Sequence, residues 1–144
     1  MQQLLQILVA GGDRRQQYAA QKLAKSPQLS VTTIGFSQSD SETLPEFDVL
    51  VLPIHTTAES VPSKNGNLSL PELLSHVKKG GLVCGGVLPE AVCRMCQEQE
   101  LCFCDYFQRE ELCLANAVPT VEGAIQIAIS ERETVLCGSS VLVI

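Results

Sequence analysis

Tryptophan is absent from this chain, and aromatic residues make up only 4% of it, so any core it builds is mostly aliphatic. Basic residues are few. Ten Lys and Arg are scattered against sixteen acids, which leaves a formal net charge of −6. Phosphate binding leaves a basic stripe, and without one nucleic acid is excluded as a partner. No uninterrupted apolar run approaches the ~18–20 residues that a bilayer demands, so no membrane span is expected. The opening MQQLLQILVAGG lacks a cationic leader and a cleavage site. It reads as a first strand, and a cytoplasmic location is the expectation.

Several phosphate-binding signatures are also missing. No G-x-G-x-x-G and no G-x-x-x-x-G-K-[ST] occurs. The paired acids of a phosphoacceptor site are lacking after the first strand, as is a Ser/Thr/Gly loop for a flavin phosphate. What is present is 144 residues, 45% of them hydrophobic, enough for one domain over 1–144 with no disulfide or metal needed to fold. Seven cysteines are many, and in a reducing compartment they are expected to be mostly buried thiols.

Along the chain, short β-branched runs alternate with amphipathic ones. Residues 4–10 (LLQILVA) predict a buried strand ending at Gly11-Gly12, and Asp13 stands as N-cap of a helix reaching about Lys25. Residues 29–35 (LSVTTIG) predict a second strand, 36–46 a polar connection, and 47–54 (FDVLVLPI) a third strand stopped at Pro53. After a loop over 55–66, Ser69 caps LPELLSHVKKG, a helix expected to run to Gly80. Strand 82–84, helix 89–98 and strand 101–104 follow, then a turn over 105–111 and extended chain over 112–116. A helix is expected over 119–130, and CGSSVLVI closes with a turn and a strand. This order predicts an α/β fold: a three-layer, flavodoxin- or Rossmann-like parallel sheet of about five strands.

Ligands of such sheets bind beyond the carboxyl ends of the strands, which selects the loops 11–15, 53–57, 84–86 and 116–122. In the first, the glycines suit a tight turn, and Asp13 repels a pyrophosphate from the helix N-terminus. Arg14 or Arg15 has the planar fork that grips a carboxylate. Thr56 and Thr57 either close the third strand or bind a ligand, and His55 beside them has no acidic neighbour in sequence. Cys93, Cys96, Cys102 and Cys104 lie within twelve residues. Their spacing is irregular for zinc or iron–sulfur, and core packing is the preferred reading. In NAVPTVEGAIQIAI, Thr120 and Glu122 suit a helix start after Pro119, whereas Asn116 and an internal Gly123 are not needed for capping and point to a ligand.

The segment N-x-x-P-T-V-E-G leading to C-G-S, with LVAGGDRR and FDVLVLPIHTT, resembles the N-terminal domains of dipicolinate synthase A chains. The resemblance implies a substrate-side domain of an NADP-dependent oxidoreductase of sporulation, one that helps oxidise a dihydro- or tetrahydrodipicolinate-type dicarboxylate to dipicolinate. It also implies a flavoprotein-like B chain as partner. Residues 139–144 would open an NADP-binding domain absent from this chain, so the isolated domain is expected to hold no cofactor and to be inactive. Substrate contacts are expected from Gly12, Asp13, Arg14, Thr56, Thr57, Asn116, Thr120 and Glu122, with no metal; Glu122 either orients Arg14 or exchanges a proton. The alternative is a non-catalytic binding or assembly domain, with SSVLVI as a pairing edge and a homo-oligomer as one outcome.

Overall fold

The computed structural model describes residues 4–36, 44–133 and 135–142. Much of the expected 36–46 connection and the last residues of the terminal strand fall outside these. Within them the chain divides into two compact units, 1–108 and 109–144, where one domain over 1–144 was expected.

The first unit is built on five parallel strands: β1 (Leu5–Ala10), β2 (Leu29–Ile34), β3 (Phe47–Val51), β6 (Val77–Gly85) and β7 (Cys102–Asp105), ordered β2-β1-β3-β6-β7. This is the expected doubly wound arrangement, with the order reversing between β1 and β3. Helix α1 (Arg14–Leu23) joins β1 to β2, α2 (Leu70–Ser75) precedes β6, and α3 (Glu90–Glu98) joins β6 to β7. On one face Leu8, Leu50 and Val83 are fully buried with Leu70, Leu74 and Val92 of α2 and α3. On the other, Ile7 and Val9 pack with Ala20 of α1, and Val49 and Val51 lean on the same cluster.

Register partners in a parallel sheet share a face. The row that starts at Ile7 therefore continues through Val49 and Leu82 to Cys102, and the row from Val9 through Val51 and Cys84 to Cys104.

Two local expectations are corrected. The loop over 55–66 contains β4 (Ser60–Val61), which pairs antiparallel with β5 (Leu68–Ser69). Ser69 does cap α2, accepting from Glu72 N, but the helix stops at Ser75. Its leucines are spent by then, and the residues after it gain more as strand: Val77 pairs with Phe47, and Lys78 reaches Asp48 at 2.7 Å.

The second unit is dominated by α4 (Glu110–Ser130), a continuous helix of 21 residues. Extended chain over 112–116 and a helix start at Pro119 are thus corrected. Leu112, Leu114, Ala115 and the acids at its first turn favour helix, and Pro119 sits inside it at the cost of one backbone hydrogen bond. No described residue of α4 is buried. By length and composition it could cross a membrane, with mean hydropathy 1.4, where the sequence had shown no such run. Glu122 and Gln126 in its second half oppose that use. Residues 139–142 join no strand ladder among the described residues.

Candidate functional site

The carboxyl ends of β1, β3 and β6 carry an unusual concentration of left-handed backbone. Gly11 and Gly12 have φ 58° and 87° directly after β1. A Cβ on Gly11 would strike the Pro62 carbonyl, and one on Gly12 would lie 2.9 Å from Pro53 Cβ and 3.0 Å from Gln16 Cβ. The glycine pair thus lets the first turn press against the loop after β3. Gly12 N donates to Pro62 O at 2.6 Å, which ties the two loops together.

Asp13 caps α1 as expected, its carboxylate accepting from Arg15 N at 2.8 Å. The Arg15 guanidinium lies 2.7 Å away and holds the Asp13 carboxyl below its ordinary range. The two arginines therefore have different duties. Arg15 is engaged by Asp13, while exposed Arg14 pairs with no carboxylate among the described residues. The capping carboxylate also fills the helix N-terminus where a pyrophosphate would lie, so this turn does not fit a dinucleotide.

At the end of β3 the two threonines separate. Thr56 is buried, and its hydroxyl donates to Pro53 O at 2.9 Å. Thr57 is exposed at the loop surface, bonded to Ser60 N at 3.0 Å and Ser60 Oγ at 3.2 Å. Between strand and threonines stands His55, exposed, at φ 68°.

Beyond β6 the outlier is Val87, a β-branched residue at φ 55° and exposed. Such a residue is strained in this region. Asp105, last in β7, holds it there. Its carboxylate accepts from Val87 N at 3.1 Å, Leu88 N at 2.9 Å and Phe107 N at 2.9 Å. Tyr106 packs its ring where a side chain on Gly86 would go, and its hydroxyl lies 3.4 Å from Leu52 O. Burial pushes the Tyr106 phenol upward, so it stays protonated and a donor at neutral pH. Sequence reasoning selected Gly85 and Gly86 but missed Val87 and Asp105. The available signal was an acid at the end of the strand neighbouring a Gly-Gly turn.

Gly12, Asp13, Arg14, Thr56 and Thr57 all belong to the first unit and cluster at its strand ends. Asn116, Thr120 and Glu122 belong to the second, in the middle of α4 rather than at a helix start. Thr120 Oγ1 donates back to Asn116 O at 2.8 Å, and Glu122 is exposed. Glu122 shares one stretch of the α4 surface with Ile125, Gln126, Ile129 and Ser130.

The cysteines are not gathered. Cys96 is buried in the α2–α3 core, its thiol pushed up to about 11 by burial, whereas Cys102 and Cys104 lie on β7 and are exposed. With Cys113 and Cys137 that makes four exposed thiols, which corrects the expectation that most are buried. No cluster of three metal-ligating side chains occurs among the described residues.

The family model for the N-terminal domain of the dipicolinate synthase A chain matches residues 6–107. The chain is 28% identical over 159 positions to the dipicolinate synthase A chain of Bacillus subtilis strain 168, covering 97% of this chain and 52% of that protein. The crystal structure of the dipicolinate synthase A chain from Bacillus halodurans superposes with TM-score 0.80 at 22% identity, over 94% of this chain and 52% of that one. For the crystal structure of the A chain from Bacillus subtilis the values are 0.71, 24%, 92% and 51%. The chain thus spans about half the length of the relatives it matches.

Proposed function

The chain belongs to the family of dipicolinate synthase A-chain N-terminal domains, and from that membership we propose that it forms the substrate-side half of such an enzyme. The ligand is a dihydro- or tetrahydrodipicolinate-type dicarboxylate, and Arg14 is its principal anchor. The observation that carries this reading is an exposed guanidinium with no carboxylate partner among the described residues, set at the strand ends where α/β sheets bind ligands.

Thr57, the Thr56 loop and the Gly12–Asp13 turn shape the same edge. Asp13 acts indirectly: it occupies Arg15 and so leaves Arg14 as the cation offered to an anion. Asn116, Thr120 and Glu122 are assigned to the substrate as well, from α4. The oxidation itself removes a hydride and a proton from a dihydro ring to give the aromatic dicarboxylate. NADP takes the hydride, and it is held by the other half of the enzyme, since the first turn here does not fit it. A flavoprotein-like B chain completes the complex, in the cytoplasm of a sporulating cell. The domain alone turns over no substrate.

Calorimetric titration of the chain with dipicolinate tests this reading. Saturable binding that Arg14→Ala weakens about tenfold is expected, the loss of one charge-assisted fork. Equal affinity in the two proteins refutes Arg14 as the anchor.

A further inference from the structure

One row of side chains on the α1 face of the sheet, from Val9 through Val51, ends in two thiols: Cys84 of β6 and Cys104 of β7. They are register partners on adjacent parallel strands, both inside the first unit, so the sheet alone sets their distance. Neighbouring strands lie about 4.8 Å apart, within the Cα span of about 4.4–6.8 Å that a disulfide bridges. Cys102, two residues earlier on the same face of β7, stands opposite Leu82 instead. Cys93 and Cys96 belong to α3, which covers the opposite face.

The two thiols are not equivalent. Burial, and then Cys104 beside it, push the Cys84 thiol up. Cys84 therefore stays protonated, and the first nucleophilic attack falls to Cys104. An attacking thiol next to a resolving one is the arrangement of peroxide-reacting cysteines. Their place in the chain matters as much. Cys84 directly precedes the Gly85-Gly86 turn, and Cys104 directly precedes Asp105, whose carboxylate accepts from Val87 N, Leu88 N and Phe107 N at 2.9 to 3.1 Å.

We propose that Cys84 and Cys104 are a peroxide-sensitive dithiol whose disulfide, closed across β6 and β7, loosens the turn that Asp105 holds. The Cys104 thiolate attacks one oxygen of hydrogen peroxide, the O–O bond breaks, and a sulfenic acid forms as hydroxide leaves. That hydroxide takes up the proton Cys104 released and becomes water. The Cys84 sulfur, giving up its proton, then attacks the Cys104 sulfur and displaces the hydroxyl as a second water. Two thiols thus pass two electrons and two protons to peroxide, and a dithiol reductant reverses the step. A disulfide holds its Cβ atoms about 3.5–4.5 Å apart, closer than strands at about 4.8 Å present them. Closing the bond therefore draws β7 toward β6 beside Asp105, and such strain keeps the bond readily reducible. The same shift moves the three Asp105 hydrogen bonds off their geometry. The turn stands at the edge assigned to the dicarboxylate, so an effect on affinity rests on that reading, whereas the linkage does not.

The test is treatment of the chain with hydrogen peroxide, followed by intact mass, peptide mapping and amide hydrogen exchange, all without ligand. Cleavage after glutamate puts Cys84 on peptide 73–90, Cys93 and Cys96 on 91–98, and Cys102 and Cys104 on 101–110. Wild type and Cys102→Ser are expected to lose two hydrogens and to join 73–90 to 101–110. Their Val87 and Leu88 amides are expected to exchange about tenfold faster, the loss of about one hydrogen bond. Dithiothreitol is expected to restore both. Cys104→Ser is expected to form no such link and to keep its slow amides. The proposal is overturned if wild type forms no link between 73–90 and 101–110, or one that joins two chains, or one that survives Cys104→Ser. A link that leaves the two amides unchanged overturns the loosening of the turn. Dicarboxylate affinity is read separately, so failure here leaves the substrate reading standing.

Discussion

The two edges of the sheet in the first unit use the same side chain for different ends. At the amino edge Asp48, in β3, accepts from Gln6 N at 2.8 Å and from Lys78 Nζ at 2.7 Å, so one carboxylate fastens three neighbouring strands. At the carboxyl edge Asp105 accepts three backbone N–H groups and fastens two loops. At Asp48 the β3–β6 register shifts, Phe47 pairing with Val77 and Val49 with Leu82, and the positive φ in that stretch of β6 falls on a glycine, Gly80; around Asp105 and across to β1 stand Gly11, Gly12, His55 and Val87 at positive φ. Glu100 at φ 58° is the non-glycine case near the amino edge, and it has an ordinary cause: it follows the last turn of α3, where Leu101 N returns to Cys96 O. Asp48 therefore secures the scaffold, while Asp105 holds a shape that costs energy. Strain that persists is a reason to look for binding there.

Substitutions separate the two edges. The largest loss is expected for Gly11→Val, which forces a β-branched residue to φ 58° and into the Pro62 carbonyl. A loss of about 4 kcal/mol in urea unfolding is expected, enough to unfold a marginal domain. Next comes Asp48→Ala, at about 2–3 kcal/mol, the cost of losing a charged acceptor of two hydrogen bonds, with dicarboxylate affinity unchanged. This loss has a pH signature. The Lys78 hydrogen bond lowers the Asp48 carboxyl below its ordinary value. Its stabilisation is thus present above the unfolded carboxyl's pKa of about 3.9 and is lost as pH falls through the lower folded value. Wild type and Asp48→Ala should converge in stability on acidification below that range. A constant gap would break the contrast between the edges.

Much of the first unit was legible because its signals are local. Strand runs, Gly-Gly turns and the caps Asp13 and Ser69 depend on neighbours in sequence, and all of them hold. What failed needed partners far along the chain. Residues 77–80 read as helix end because Lys and Gly belong there, yet Asp48 and Phe47, some thirty residues away, draw them into β6. Asp105 looks like a turn acid until Val87 and Leu88 are brought to it. In α4 the proline misled: Pro119 with Thr and Glu after it imitates a helix start, and the apolar residues before it carry the helix through. The candidate site was legible as a set of strand ends; the division of labour between Arg14 and Arg15 was not, because it rests on which one folds back onto Asp13.

The two smallest expected stability changes sharpen the comparison most. Val87→Gly relieves a β-branched residue of left-handed backbone while keeping the N–H that Asp105 accepts, so a gain of about 1 kcal/mol is expected, less the entropy glycine adds to the unfolded chain. At Arg14 no such gain or loss is available: the side chain is exposed and bonded to no described carboxylate, so Arg14→Ala should leave stability within about 0.5 kcal/mol. Dipicolinate titration of both variants then asks what the strain is for. If the Val87 loop is held in a binding shape, the stabilised glycine variant loses affinity because its loop visits other conformations, and Asp105→Asn loses it too by weakening the clamp. If Val87→Gly is more stable and binds equally well, the strain is a by-product of packing Tyr106 against Gly86, and binding at this edge rests on the Arg14 side alone.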